Sequence, residues 1–157
     1  MEMSGSRTIS ADRDTVWRHL NDAETLKACI DGCQELTGSP EEGFEAVVKQ
    51  KVGPVKATFK GSVTLENVDA PNGYRLVGEG KGGVAGFAKG GADVSLADVE
   101  GGTELSYEVE AKVGGKLAQL GSRVVNGFAK KMVDSFFERF EQVVEEGKAP
   151  EEVDEQE

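Results

Sequence analysis

The stretch Glu104-Leu105-Ser106-Tyr107-Glu108-Val109-Glu110-Ala111-Lys112-Val113-Gly114-Gly115-Lys116-Leu117-Ala118-Gln119-Leu120 holds the change of pattern that decides the fold. Up to Val113 apolar and polar residues alternate, as in a strand with one buried face; after Gly115 the apolar residues step by three and four. Leu117, Leu120, Val124, Phe128, Met132, Phe136, Phe140 and Val144 carry that step onward. A helix of roughly thirty residues would be about 45 Å long. Lys116, Arg123, Lys130, Asp134, Glu138 and Glu141 fall on positions suited to solvent, and Gly147 and Pro150 end the pattern. The eleven residues beyond, 147–157, hold five acidic side chains and read as a disordered acidic tail on a single domain of residues 1–146.

Upstream of the switch, alternation recurs between turn signals. Ser39-Pro40-Glu41-Glu42-Gly43, Gly53-Pro54, Pro71-Asn72-Gly73 and Gly101-Gly102 separate strands expected over 43–52, 55–68, 74–83, 90–99 and 103–113, after a short one near 34–38. Tight turns between consecutive strands make an antiparallel meander. Residues 2–9 alternate as a first strand, with Met3, Arg7 and Ile9 on one side. Two short helices follow it. Ser10 is the expected cap of the first, whose stripe is Val16, Trp17 and Leu20; Asn21 with Glu24 suggests a capping box for the second, which carries Leu26 and Ile30. The class is therefore α+β: a curved antiparallel sheet of about seven strands wrapped around one long C-terminal helix, which buries the apolar face of each against the other.

Composition removes several functions. The net charge of −11 over 157 residues argues against a nucleic-acid partner, because phosphate binding needs a concentrated basic surface. No apolar run approaches the length that spans a bilayer, and Met1 to Arg7 lacks an apolar leader core, so a cytoplasmic protein is expected. Cys29 and Cys33 do not have the spacing of zinc or thioredoxin-like pairs, and His19 is the single histidine, so neither a metal site nor a nucleophilic dyad is expected. The expectation is a protein that is not an enzyme and has no covalently bound cofactor.

Every second residue of the strands, taken in phase, gives twenty-five inward positions, and nine of them are Gly or Ala, concentrated in the middle of the sheet. Interiors are close-packed, so bulk missing from one layer must come from the facing layer or from a ligand. The facing helix carries Gly121 and Gly127, which would thin it as well. The two readings are an apolar cavity and a filled core in which glycine only lets the sheet bend. The cavity reading assigns ligand contact to Val48, Phe59, Val63, Leu76, Gly78, Gly80, Ala92, Val94 and Tyr107 on the sheet, with Leu117, Leu120, Val124 and Phe128 on the helix. The glycine-rich run from Gly78 to Gly91 suggests a mobile entrance flap with Phe87 as its apolar lid.

Several of these segments resemble one known family. Gly5-Ser6-Arg7, Val16-Trp17, Leu26 to Cys33, Lys51 to Gly61, Gly80-Lys81-Gly82-Gly83 with Gly90-Gly91-Ala92, Leu105-Ser106-Tyr107 and Gly114 to Gly121 are similar to the G-subunit family of carbon monoxide dehydrogenase, with Asp31 standing where that family would have Pro. The resemblance implies a START-like (SRPBCC) helix-grip fold enclosing an apolar ligand. It further implies an accessory protein of a molybdenum hydroxylase, carbon monoxide dehydrogenase, acting in CO oxidation. The implied roles are quinone delivery, membrane recruitment or, with no ligand, maturation and assembly of that enzyme. The implied guest is a menaquinone-type quinone or another lipid. Many relatives carry a hydrophobic C-terminal anchor; this sequence ends in acidic residues, so a transient, peripheral contact with the inner face of the cell membrane is the expectation.

Overall fold

The computed structural model describes residues 1–146, so the expected tail at 147–157 lies outside the described residues. The chain runs β1 (Glu2–Ile9), α1 (Arg13–Leu20), α2 (Ala23–Cys29), β2 (Cys33–Ser39), β3 (Gly43–Val52), β4 (Val55–Asp69), β5 (Gly73–Lys81), a 3-10 turn (Gly83–Ala85), β6 (Phe87–Val99), β7 (Gly102–Gly114), α3 (Lys116–Gln119) and α4 (Ser122–Glu146). All seven strands form one antiparallel sheet in the order β1-β7-β6-β5-β4-β3-β2. The helix-grip architecture is thus present, a curved sheet holding a long C-terminal helix.

Register confirms the inward phase. Phe44 lies opposite Val63, Val63 opposite Gly78, Gly78 opposite Gly90 and Gly90 opposite Ala111, so the small and apolar positions share one face across five strands. On β1, Met3, Gly5 and Arg7 pair with Val109, Tyr107 and Leu105 and join the same face.

Local chemistry departs from expectation at both short helices. Asp12, rather than Ser10, caps α1: its carboxylate accepts from Thr15 N at 3.2 Å and from Thr15 Oγ1 at 2.6 Å. Asp22, rather than Asn21, caps α2 with the same Asp-x-x-Thr geometry to Thr25. An aspartate satisfies orphan helix amides and also meets the positive end of the helix with a full charge. Ser10 instead donates its N–H to the Glu145 carboxylate of α4 at 3.0 Å.

The long helix is also not continuous. Gly121 has φ of +90°, a conformation open to glycine, and it separates the single turn of α3 from α4. Gly121 and Gly127 are exposed, and a Cβ at either would meet nothing within 4 Å, so neither thins the layer that faces the sheet. The packed core gathers at the C-terminal half of α4. There Phe137, Phe140, Val143 and Val144 are buried against Ile9, Val16, Leu20, Cys29, Tyr74, Leu96 and Leu105.

Candidate apolar binding site

The site is built from the part of the inner sheet face that the core leaves uncovered. In β4 the inward residues Val55, Ala57, Phe59, Gly61, Val63 and Leu65 are each only half-buried, while the outward residues between them are exposed. In a filled core such inward residues would be closed off from solvent, as Leu96 (5%) and Leu105 (0%) are at the other end of the sheet. Opposite them, the N-terminal half of α4 buries only Val125 before Phe137. The close-packed core therefore lies toward Phe140; between it and the buried residues at the α3 end, Val52, Ala85, Leu117 and Val125, the inner face of the sheet is only partly covered.

Two glycines mark the open volume. Gly61 and Gly80 are opposite each other on the inner face. A Cβ on Gly61 would meet only the Glu79 carbonyl at 3.4 Å and Gly80 Cα at 4.0 Å, and one on Gly80 only the Lys60 carbonyl at 4.0 Å. Among the described residues, no helix side chain reaches within 4 Å of either position. Gly78 differs, because a Cβ there would stand 2.8 Å from the Ser62 carbonyl and 3.0 Å from Val63 Cγ2. Its missing side chain makes room for the neighbouring strand.

The expected ligand residues divide into groups. Leu76, Val94 and Tyr107 pack on the margin of the core and form the floor of the cleft. Val48, Phe59, Val63, Gly78, Gly80 and Ala92 are half-buried on the sheet beyond it, and Phe59 lies against Gly82, its ring 2.5 Å from where a Cβ would sit. Leu117 is buried on α3 and Phe128 is half-buried on α4. Leu120 and Val124 lie over Gly53 in the β3–β4 turn, with Val124 Cγ1 at 3.5 Å from the Cβ position; Val124 is 40% exposed.

Phe87 is the correction. It opens β6 in alternation with Ala88 and Gly90, which face inward, so its ring points to the outer face, where it covers Gly114. It cannot serve as a lid on the cleft. The segment between β5 and β6 turns through Gly83–Ala85, with the Gly82 N–H donating to the Gly86 carbonyl at 2.8 Å.

A polar cluster that alternation alone does not resolve stands at the floor. Arg7 reaches across from β1 to Asp134 and Glu141 of α4, each at 3.1 Å, and its guanidinium lies 5.5 Å from the Phe137 ring centroid. Asp134 and Glu141, placed by helical position in solvent, are thus turned toward the sheet. The hydrogen bond from Lys130, joined by Arg7, holds the Asp134 carboxyl below the usual carboxylate range. Tyr107 stacks on Phe137 at 5.3 Å, with its hydroxyl over Gly5. A charge at position 7, in phase with Met3 and Ile9, was the available signal.

Other titratable groups are engaged elsewhere. Thr25 gives its hydroxyl proton to Asp22 at 2.7 Å, so His19 Nδ1, 3.1 Å from Thr25 Oγ1, donates in that contact. Burial, then the neighbouring Arg18, lowers the His19 pKa. Cys29 is buried and Cys33 half-buried, with burial raising the Cys33 thiol. Among the described residues, no group of three or more His, Cys, Asp or Glu side chains is placed to hold a metal ion. A separate depression of about 810 Å³ lies on the outer face, lined by charged side chains including Arg75, Lys89 and Lys112. It is across the sheet from the apolar cleft and is not part of it.

The model of the CoxG family, the G-subunit family of carbon monoxide dehydrogenase, matches residues 5–145, nearly the whole described chain. The chain belongs to the CoxG family. Membership gives it an accessory role associated with carbon monoxide dehydrogenase. Among solved structures, a conserved protein from Geobacillus kaustophilus is similar at 28% identity with a TM-score of 0.86, covering 93% of this chain and 96% of that one. An uncharacterised protein from Rhizobium leguminosarum shares the fold at 13% identity and a TM-score of 0.70, covering 93% and 95%. A protein from Thermus thermophilus does so at 18% identity and a TM-score of 0.68, covering 94% and 99%. No curated protein matches the sequence. Among the described residues of this CoxG protein, no helix is long and apolar enough to cross a membrane.

Proposed function

We propose that this CoxG protein is a non-catalytic carrier that holds a menaquinone-type quinone in the cleft between the sheet and α4 and exchanges it with a molybdenum-containing carbon monoxide dehydrogenase. The observation behind this reading is the half-buried apolar face around Gly61 and Gly80, which no helix side chain among the described residues fills. An elongated apolar guest lying there would withdraw Val48, Phe59 and Val63 from water, at about 25 cal/mol per Å² of apolar surface. The floor suits a polar head: Tyr107 carries a hydroxyl, and the Arg7 guanidinium has more N–H groups than the two bonded to Asp134 and Glu141. The reading as a carrier rather than an enzyme rests on those same side chains. The inner-face carboxylates are engaged by Arg7, and His19 is bonded to Thr25, which among the described residues leaves no general base beside the uncovered sheet face.

Two measurements test it. Solvent extraction of purified protein followed by mass spectrometry should release a quinone or a similar isoprenoid. Titration of stripped protein with a short-chain menaquinone should saturate at one equivalent and quench Trp17, which lies 5.1 Å from Tyr74 in the core. No extracted ligand together with no saturable binding would remove the carrier reading and leave an assembly factor with an empty cleft.

A further inference from the structure

The charge of this protein is separated along its length, and the basic pole lies at the end of the sheet that carries the β3–β4 turn, the Gly83–Ala85 turn and α3. Residues 49–60, 79–90 and 112–131 hold eleven of the 18 lysines and arginines and only one of the 29 acidic residues, Glu79. The topology brings these segments together. Lys51 is opposite Lys56 at the β3–β4 turn, Lys60 opposite Lys81, Lys81 opposite Phe87, and Lys89 opposite Lys112. Gly86 against Gly115 joins the 3-10 turn to α3, and Val124 over Gly53 joins the start of α4 to the β3–β4 turn. All eleven basic side chains are exposed. Only Lys81 and Lys130 have a carboxylate within 4 Å among the described residues.

Two features argue that this pole is more than solvated surface. Lys51–Lys56, Lys60–Lys81 and Lys89–Lys112 are like charges placed directly opposite on neighbouring strands, an arrangement that costs stability in the isolated protein. An anionic surface would convert that cost into attraction. The same end carries three of the five large exposed hydrophobic side chains among the described residues: Val84 at 85%, Phe87 at 42% and Val124 at 40%. Apolar tips set within a basic ring suit an interface that is anionic at its surface and hydrocarbon beneath it.

We propose that the end formed by the β3–β4 turn, the Gly83–Ala85 turn and the start of α4 docks on an anionic lipid bilayer. Val84 and Val124 enter the headgroup layer, and the lysines around them meet lipid phosphates and carboxylates. The acidic remainder of the chain is repelled by the same surface, so the field that attracts one end also orients the molecule. This deepens the carrier reading by naming the surface from which an apolar guest is loaded, and it rests on that reading only for its purpose.

The test is co-sedimentation of the full chain with vesicles of phosphatidylcholine containing 30% phosphatidylserine, against phosphatidylcholine alone. Binding is expected only to the anionic vesicles and falls away in 0.5 M salt. Each basic residue near such a surface contributes about fivefold, so Lys56→Gln with Lys116→Gln should weaken binding about 25-fold. Arg13→Gln with Arg18→Gln changes net charge equally but lies away from this pole, and should weaken it less than twofold. Val84→Asp should weaken it in the parent background. Equal losses in the two double variants would show a response to net charge alone and overturn the proposal, as would equal binding to both vesicle types or to neither. Capture by an acidic protein without vesicle binding would overturn it as well. Short-chain menaquinone titration is read separately in solution: both double variants should match the parent. A parent that binds anionic vesicles but no quinone would refute the carrier reading and leave the docking surface standing.

Discussion

Replacing Gly80 with leucine adds a branched apolar side chain to the middle of β5, on the face that looks into the cleft. The backbone there is not in the left-handed region, and a Cβ would meet only the Lys60 carbonyl at 4.0 Å. Glycine in a strand interior costs about 0.5–1 kcal/mol relative to alanine, and the substitution recovers that amount. With nothing to displace, Gly80→Leu should leave stability unchanged or raise it by up to about 1 kcal/mol. Were the volume occupied by the protein's own side chains, overpacking would instead cost about 1–3 kcal/mol. Gly78→Leu calibrates the experiment on the same strand and face. Its Cβ falls 2.8 Å from the Ser62 carbonyl, a backbone atom that yields only if the strand moves, so about 1–3 kcal/mol should be lost. Urea and thermal melts of both variants should therefore diverge in sign, at about 2–4 °C per kcal/mol for a chain of this size. In the same samples Gly80→Leu should weaken short-chain menaquinone by at least tenfold, or about 1.4 kcal/mol. A Gly80→Leu protein that melts as early as Gly78→Leu would refute the open cleft.

Arg7→Met keeps the apolar stem of the side chain but removes its two ion pairs and its contact with Phe137, and should cost about 1 kcal/mol. A double-mutant cycle with Glu141→Gln should recover part of that loss; full additivity would mean the 3.1 Å pair is energetically silent. The lowered His19 pKa means that the unfolded chain takes up a proton more readily than the folded one. Its stabilising contribution is therefore complete above the unfolded value of 6.5 and declines as pH falls toward the folded value. Proton NMR of this single histidine should show a midpoint below 6.5, and His19→Gln should flatten the change in urea midpoint between pH 7.5 and 5.5. A midpoint above 6.5 would contradict the burial of the imidazole beside Arg18.

The meander is readable because period-two alternation and turn residues report the same boundaries independently, as at Gly53-Pro54 between β3 and β4. The inward phase follows from it, since a one-residue error would place Lys56 and Lys60 inside. Where alternation lapses, reading fails. In the run from Gly78 to Gly91 glycines hide which side is apolar, so alternation starts β6 at Gly90 rather than Phe87 and loses the phase of Phe87. The break at Gly121 is silent because Leu117, Leu120 and Val124 keep a helical step across it, and spacing does not register a change of φ. Asp134 and Glu141 sit where a helical wheel puts solvent-facing residues, but their partner Arg7 lies more than 120 residues away, and only the β1–β7 pairing brings it near. Leu117 and Phe128 are legible as apolar helix positions, but their distances from the sheet are not.

The pairing of β1 with β7 also sets the order in which the protein can be made. Met3 hydrogen-bonds into a strand whose partner residue is Val109, and every strand from β2 to β7 can form its hairpin before that pair closes. At a synthesis rate of roughly 5–20 residues per second, the first strand waits roughly 5–20 s without its strand partner while that partner is translated. Arg7 waits with it, so the floor of the cleft is assembled last, by the two ends of the chain meeting across a sheet that already exists.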